Sequence, residues 1–387
     1  MIERAFHGGK RYWGLVAALV ALVLPGCWFY ADQLREGLGI TGMSRDVSWG
    51  LYIAQFVFTV GVAASAVMVI LPYYLHDYKA FGRITILGEF LAVPAVVASI
   101  LFVIVDMGRP DRALNLILHP SPRSMMFWDL VALVGYLVMS AVVGFKSFDA
   151  ERAGSRPPRW IGWLVIVSIP WAFSIHTVTA LLFSGLGARP FWLTAIMAPR
   201  FLASAFASGP AILVLLALLL RKAARFDVGR EPVAKLAEIA AYAMAASIFF
   251  AGLEIFTIAY SGIPAHVEHL RYLYLGLDGA TAVAPWMWAS AALSVASLVM
   301  LLVPRVRRSD PALAVACAAV VAGVWIEKGM GTIAGGFVPS PLGRVTEYRP
   351  TLPEIAIAIG VYAASAVLLV ALYGIVVSVR AARRDVL

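Results

Sequence analysis

Ten separate apolar stretches, each long enough as a helix to cross roughly 30 Å of hydrocarbon at about 1.5 Å per residue, constrain this chain more than any other feature. They fall at 12–34, 49–75, 84–105, 124–145, 160–184, 201–220, 234–260, 283–303, 312–326 and 355–379; the ninth is short and the tenth long. In lipid a spanning segment has to satisfy its backbone polar groups internally, and an isolated apolar run of this length does so as a helix. The expected fold is therefore all-α and integral to a membrane, with about ten transmembrane helices in one polytopic domain over 1–387. Composition agrees, because 61% hydrophobic residues, 14% charged residues and a mean hydropathy of +0.86 exceed what one water-soluble core could hide.

The net charge of +9 does not point to nucleic acid, since the basic residues lie in short clusters between apolar runs. The chain ends and the even-numbered connections hold 20 of the 31 Lys and Arg residues, and the odd-numbered connections hold 11. Positive residues concentrate on the cytoplasmic side, so both ends of the chain are expected there, in a bacterial or archaeal inner membrane. The odd connections are longer and rich in Pro, Gly and aromatic residues, notably 262–282 and 329–353, and are the expected docking face for a partner. Cys27 and Cys317 are far apart, which leaves no CxxC, no thiolate set for an iron–sulfur cluster and no disulfide framework. The LPGC run ending at Cys27 imitates a lipoprotein cleavage box, although proline is atypical there. No sequence repeat stands out.

Charged and polar side chains inside apolar runs are costly and mark the places where chemistry is done. Trp49, Tyr52 and Gln55 share a helix face at three-residue spacing near the outer end of the second run. The third run ends at Asp106 in DMGRP, where Arg109, three residues on, is placed to pair with the carboxylate across the helix end before Pro110 stops it. Asp129, preceded by Trp128, lies about 8 Å inside the fourth run and His176 about 12 Å inside the fifth. His7, His76, His119, His266 and His269 fall near run ends or in connections, which offers no facing pair for haem and no metal site. Glu89, Glu254 and Glu327 are proton-path candidates, whereas Glu238 beside Lys235 reads as interfacial. Gln55, Asp106, Asp129 and His176 are thus expected to converge in the outer half of the second to fifth runs. Such a group suits a quinone, whose carbonyl oxygens accept hydrogen bonds and, on reduction, protons, while apolar walls hold its tail. Two alternatives use the same residues: a proton- or solute-translocating module, for which Pro94 and Pro170 allow broken helices, and a purely structural anchor.

The runs WGLYIAQF from Trp49, DMGRP from Asp106, SPRSMMFWD up to Asp129, IHTVTA around His176, GARPFWLTAIMAPRFLASAFASGPA from Gly187, GLEIF around Glu254 and EKGMGTIAGGFVPSPLGRVTEYRPTLPE from Glu327 occur in an order and spacing that resembles the NrfD family. That family includes the polysulfide reductase membrane subunit, and the loop motifs are most similar to its DsrP branch in sulfur-metabolism complexes. The resemblance implies two four-helix bundles, spans 2 to 5 (49–184, quinone-binding) and spans 6 to 9 (201–328), flanked by spans 1 and 10. It implies a quinone-reactive subunit, exchanging electrons between menaquinone or ubiquinone and an iron–sulfur or cytochrome partner, that works only within a complex and carries no haem or cluster itself. The implied partners are a periplasmic ferredoxin-like subunit (DsrO-like), a multihaem cytochrome c (DsrJ-like) and further membrane and cytoplasmic subunits (DsrM- and DsrK-like). Carried onto this chain, the reactive residues are His176, Asp129 and Asp106, and the quinone contacts are Tyr52, Gln55, Arg109 and Trp128.

Overall fold

The computed structural model describes residues 9–384 apart from Ser65, Asp77, Gly154, Arg156 and Arg225. Arg4 and His7, included in the counts above, lie outside the described residues. Among the described residues ten helices are long and apolar enough to cross a membrane: α1 (Lys10–Ile40), α2 (Leu51–Tyr74), α3 (Ile84–Asp106), α4 (Met125–Ala150), α5 (Arg159–Ser184), α6 (Met197–Ala224), α7 (Arg230–Ser261), α8 (Ala284–Leu302), α9 (Asp310–Phe337) and α10 (Leu352–Ser378). Among the described residues no strand forms beyond a single bridge between Leu277 and Ala280. The all-helical, ten-span architecture expected from the apolar runs is the one observed.

Helix neighbours follow from which faces are apolar all round. Every residue of the Leu51–Ala64 part of α2 is buried, and a helix with no lipid face needs neighbours on all sides. It has them in α3, α5, α6, α9 and α10. Each of α2, α3, α4 and α5 packs against the next, and α2 closes on α5; α6, α7, α8 and α9 pack in the same cyclic way, and α2 and α5 meet α6 where the two groups join. To one side α1 pairs with α10, which also lies along α3. The α1–α10 contact is close because a Cβ on Gly26 would stand 2.8 Å from the Gly360 Cα, so only paired glycines let the backbones meet. Leu24, Cys27 and Trp28 on α1 face outward, as expected of a lipid-exposed surface.

Two features differ from the sequence expectation. The ninth apolar run stops at residue 326, yet α9 continues through a π-helical segment, Trp325–Gly331, and a last turn, Thr332–Phe337. Glu327 and Lys328 lower the local hydropathy, but both are neutralised or hydrogen-bonded inside the protein, so the helix stays in the bundle. Pro94 and Pro170 lie within α3 and α5 without ending them, which removes the broken-helix argument for a transporter at those two positions.

Candidate functional site

Of the four residues expected to converge, Gln55 and Asp129 are held by separate partners, and no hydrogen bond or ion pair joins any two of the four among the described residues. Asp129 is buried on α4 and accepts a 2.8 Å hydrogen bond from Thr179 on α5. His176, one turn before Thr179, is wholly buried, and neither ring nitrogen has a partner. The charged group within electrostatic range of that imidazole is Lys328. The Lys328 amine donates to the Phe201 carbonyl at 3.0 Å, stands 5.0 Å from the centre of the Phe201 ring and lies against Gly61, so a buried amine occupies the seam between α2, α6 and α9. Its neighbour Glu327 is engaged elsewhere, since Arg200 on α6 pairs with both Glu327 and Glu254.

Arg109 does not meet Asp106. The helix ends at Asp106 and Met107 is extended, so the three-residue spacing no longer places both side chains on one helix face; Arg109 instead pairs with Asp111 at 3.3 Å on the surface. Trp128 is 43% exposed and donates from its indole to the Pro122 carbonyl at 2.8 Å, which is the posture of an interfacial tryptophan rather than a pocket wall.

Polar groups near the start of α2 and the end of α3 are linked instead. Tyr52 donates to the Gln33 side-chain carbonyl at 2.8 Å, and the Gln33 amide donates to the Val105 carbonyl at 2.6 Å, which ties α1 to α2 and α3. Tyr52 is within electrostatic range of Asp106 and Glu354, and one Asp106 oxygen is buried without a partner. Glu354, wholly buried, accepts from the Gly42 amide at 2.7 Å, the Thr351 amide at 3.0 Å and the Tyr348 hydroxyl at 2.8 Å. The Thr351–Glu354 spacing is a capping box at the start of α10. Tyr348 in turn accepts from the Leu51 amide at 2.7 Å, so one carboxylate fastens two connections and two helix starts.

One turn deeper, the Gln55 carbonyl oxygen accepts from the Trp325 indole and from the Tyr362 hydroxyl, both at 2.6 Å, while its amide nitrogen is buried without a partner. Below this group lies an open groove of about 190 Å³ between α2, α3 and α10, lined by Thr59, Val62, Leu91, Pro94, Tyr362 and Ser365 among others. The groove is apolar except at its head. There Thr59 accepts from Ser99 at 2.9 Å, and the Ser365 hydroxyl is buried with no partner. A buried donor left unmade costs about 1–3 kcal/mol, so Ser365 on the groove lining, with the unpartnered Gln55 amide one turn before Thr59, marks a place where a ligand with acceptors would be held.

Trp49 and Trp192, on the connections joining α1 to α2 and α5 to α6, pack with Phe183 at the end of α5 and Phe337 at the end of α9, ring centres 5.1–5.9 Å apart. Arg189 lies over Phe337 at 4.4 Å and borders a cavity of about 400 Å³ with Trp49. Trp49 is thus part of a packed aromatic cluster and not only a belt residue. At the other membrane face, Glu89 is 1% exposed with both oxygens unpartnered. No group of three or more His, Cys, Asp or Glu side chains is arranged to hold a metal ion among the described residues. Sequence reasoning missed Gln33, Arg200, Trp325, Lys328, Tyr348, Glu354, Tyr362 and Ser365. Of these only Glu354 carried a local signal, the Thr-x-x-Glu capping box.

Residues 39–338 match the family model described as "Polysulphide reductase, NrfD". Over 405 aligned positions the chain is 28% identical to a Halobacterium salinarum protein provisionally named as a membrane subunit of dimethyl sulfoxide reductase, covering 94% of this chain and 90% of that protein. It is 26% identical to a selenate reductase subunit of Mesobacillus selenatarsenatis over 54% of this chain and 56% of the relative. It is 24% identical to the Hdr-like menaquinol oxidoreductase integral membrane subunit of Archaeoglobus fulgidus, over 68% of this chain and 65% of the relative.

Proposed function

Since the chain belongs to the NrfD family, we propose that it is the quinone-reactive membrane subunit of a multi-subunit redox complex, and that the quinone head occupies the groove between α2, α3 and α10. The observation that carries this is the groove itself: apolar walls for an isoprenoid tail, an open side toward lipid, one unpartnered buried hydroxyl, Ser365, on its lining, and a second unpartnered donor, the Gln55 amide, one helical turn before the lining residue Thr59. Quinone carbonyls accept two hydrogen bonds, so they match those donors, and Tyr362 fixes the Gln55 amide so that its nitrogen stays free. Oxidising a quinol delivers two electrons to a partner and two protons to the protein or solvent. Asp106, within electrostatic range of Tyr52 one turn above Gln55 and with one oxygen unpartnered, offers a carboxylate that can take a proton.

The relatives are named for sulfoxide and selenate reductases and for a menaquinol oxidoreductase, which supports a common membrane module serving different terminal subunits. The substrate chemistry then belongs to the partner. The loop motifs favour the DsrP branch, a sulfur-compound substrate, a periplasmic iron–sulfur subunit with a multihaem cytochrome c, and menaquinone or ubiquinone as exchangeable substrate. The basic connections then face the cytoplasm, and the aromatic cluster around Trp49 with the long connections 262–282 and 329–353 forms the docking face. Asp129 with Thr179, His176 with Lys328, and Glu254 and Glu327 with Arg200 lie outside the groove and are read as proton-handling or structural groups.

Gln55→Leu and Tyr362→Phe in the purified complex test the placement. Both should raise KM for quinol or lower turnover by at least about tenfold, the scale of one lost hydrogen bond of about 1.4 kcal/mol, while partner proteins still co-purify. Unchanged quinol kinetics in both variants would move the site away from the groove.

A further inference from the structure

At the basic face a second cavity, of about 850 Å³, opens between the starts of α3 and α7 and the ends of α2 and α4. Tyr74, Thr85 and Ser147 line its inner part, and Lys79, Arg230 and Glu231 are among the charged groups that line it. Tyr74 and Ser147 hydroxyls stand 3.3 Å apart. Glu89 follows Thr85 by one helical turn, about 6 Å deeper into the bundle. Its Cβ lies against Gly144, so α4 packs over it, and both carboxyl oxygens are buried without partners. The titratable groups facing it are the Tyr74 phenol from α2 and the Tyr136 phenol from α4, whose hydroxyl is also buried and unpartnered.

A carboxyl group with no cation and no donor in the apolar interior is expensive whichever protonation state it holds, unless water or a proton reaches it. The cavity supplies the route. We infer that the vestibule at the basic face is the water-filled access to Glu89, through the Tyr74 and Ser147 hydroxyls, and that Glu89 exchanges protons with that face alone. The exchange is balanced as one proton taken from or returned to vestibule water per carboxyl. Tyr136 is the next hydroxyl toward the bundle interior, and Asp129 lies two turns further along the same face of α4. This inference does not depend on the groove being a quinone site.

The test uses the full complex in sided membrane vesicles. Ser147→Cys and, separately, Thr85→Cys are made in a Cys27→Ser background and treated with a small, charged, membrane-impermeant methanethiosulfonate; Lys222→Cys, exposed on the basic face, reports vesicle orientation. Either inner cysteine should react only in vesicles in which Lys222→Cys reacts. In parallel, modification of Glu89 by a hydrophobic carbodiimide is read by mass spectrometry while the pH of each face is set independently. Labelling should follow the basic-face pH, falling by about tenfold per unit once the acid ionises, and should ignore the other face; Glu89→Gln should remove it. Reaction of both cysteines from the opposite face or from neither, or Glu89 labelling that tracks the opposite face or no pH, would overturn the proposal. Neither readout involves quinol kinetics, so loss of the groove assignment leaves the result interpretable.

Discussion

Replacing Glu354 with Ala should be among the most damaging single changes near the starts of α2 and α10, although the carboxylate is wholly buried. It accepts three hydrogen bonds, from Gly42, Thr351 and Tyr348. Two come from backbone amides, and the third holds the phenol that satisfies the Leu51 amide at the start of α2. At about 1.5–3 kcal/mol for each bond to a charged group, and allowing for partial relaxation of the connections, the loss is about 4–6 kcal/mol. That is a large share of a typical stability of about 5–15 kcal/mol. Glu354→Gln keeps an oxygen acceptor and the side-chain volume but turns an amide toward one of the donors, so its cost should be about 1–2 kcal/mol. Thermal unfolding in mild detergent, followed by loss of the monodisperse peak, reads both. At about 2 °C per kcal/mol, the lower end of the range for domains of roughly 150–250 residues, the Ala variant should fall by about 10 °C and the Gln variant by about 2–4 °C. An Ala variant within about 2 °C of the parent would refute the view that this carboxylate fastens α2, α10 and the 41–50 and 338–351 connections together.

Arg200→Leu strands Glu254 and Glu327, and removing one partner of a buried ionic group costs about 3–5 kcal/mol; adding Glu254→Gln and Glu327→Gln should recover most of the lost thermal stability, and no recovery would show that the arginine acts through packing. Gly360→Leu cannot be accommodated against Gly26 without separating α1 from α10, so a cysteine pair placed across that contact should cross-link efficiently in the parent and poorly in the variant. His269, on the short helix Pro264–Tyr274 between α7 and α8, is held below the usual histidine range by burial, partly opposed by the Val338 carbonyl at 2.8 Å. Its neutral form is the folded one, so stability is complete above about pH 6.5 and declines as pH falls below it, where the unfolded chain gains a proton that the fold refuses; His269→Gln should flatten the decline measured by unfolding between about pH 7 and 5.

The spans are legible in the sequence because lipid imposes a length and a composition on each, and those are local properties. Even so, α9 reads too short, because a hydropathy window registers Glu327 and Lys328 as polar and cannot know that Arg200, 127 residues earlier in sequence, takes up the glutamate. The polar groups are legible only residue by residue. Gln55 and Tyr52 stand out on an otherwise apolar face, but the partners that fix Gln55, Trp325 and Tyr362, lie on α9 and α10 and carry no local mark. Similar depth along neighbouring helices does not set rotation about the helix axis, and rotation is what gives Asp129 to Thr179 and leaves His176 beside Lys328. The Arg109 pairing fails for a different reason: the spacing rule holds only while the helix continues, and it ends at Asp106.

Whether the quinone head sits between α2, α3 and α10 can be decided by photolabelling the intact complex with a quinone bearing a photoreactive group on the ring and sequencing the labelled peptides. Labelling is expected within 55–62 and 362–366, suppressed by excess unlabelled quinone and by Ser365→Leu, which fills the head of the groove. Labelling centred on Asp129 or His176 instead, with those segments unmodified, would contradict it.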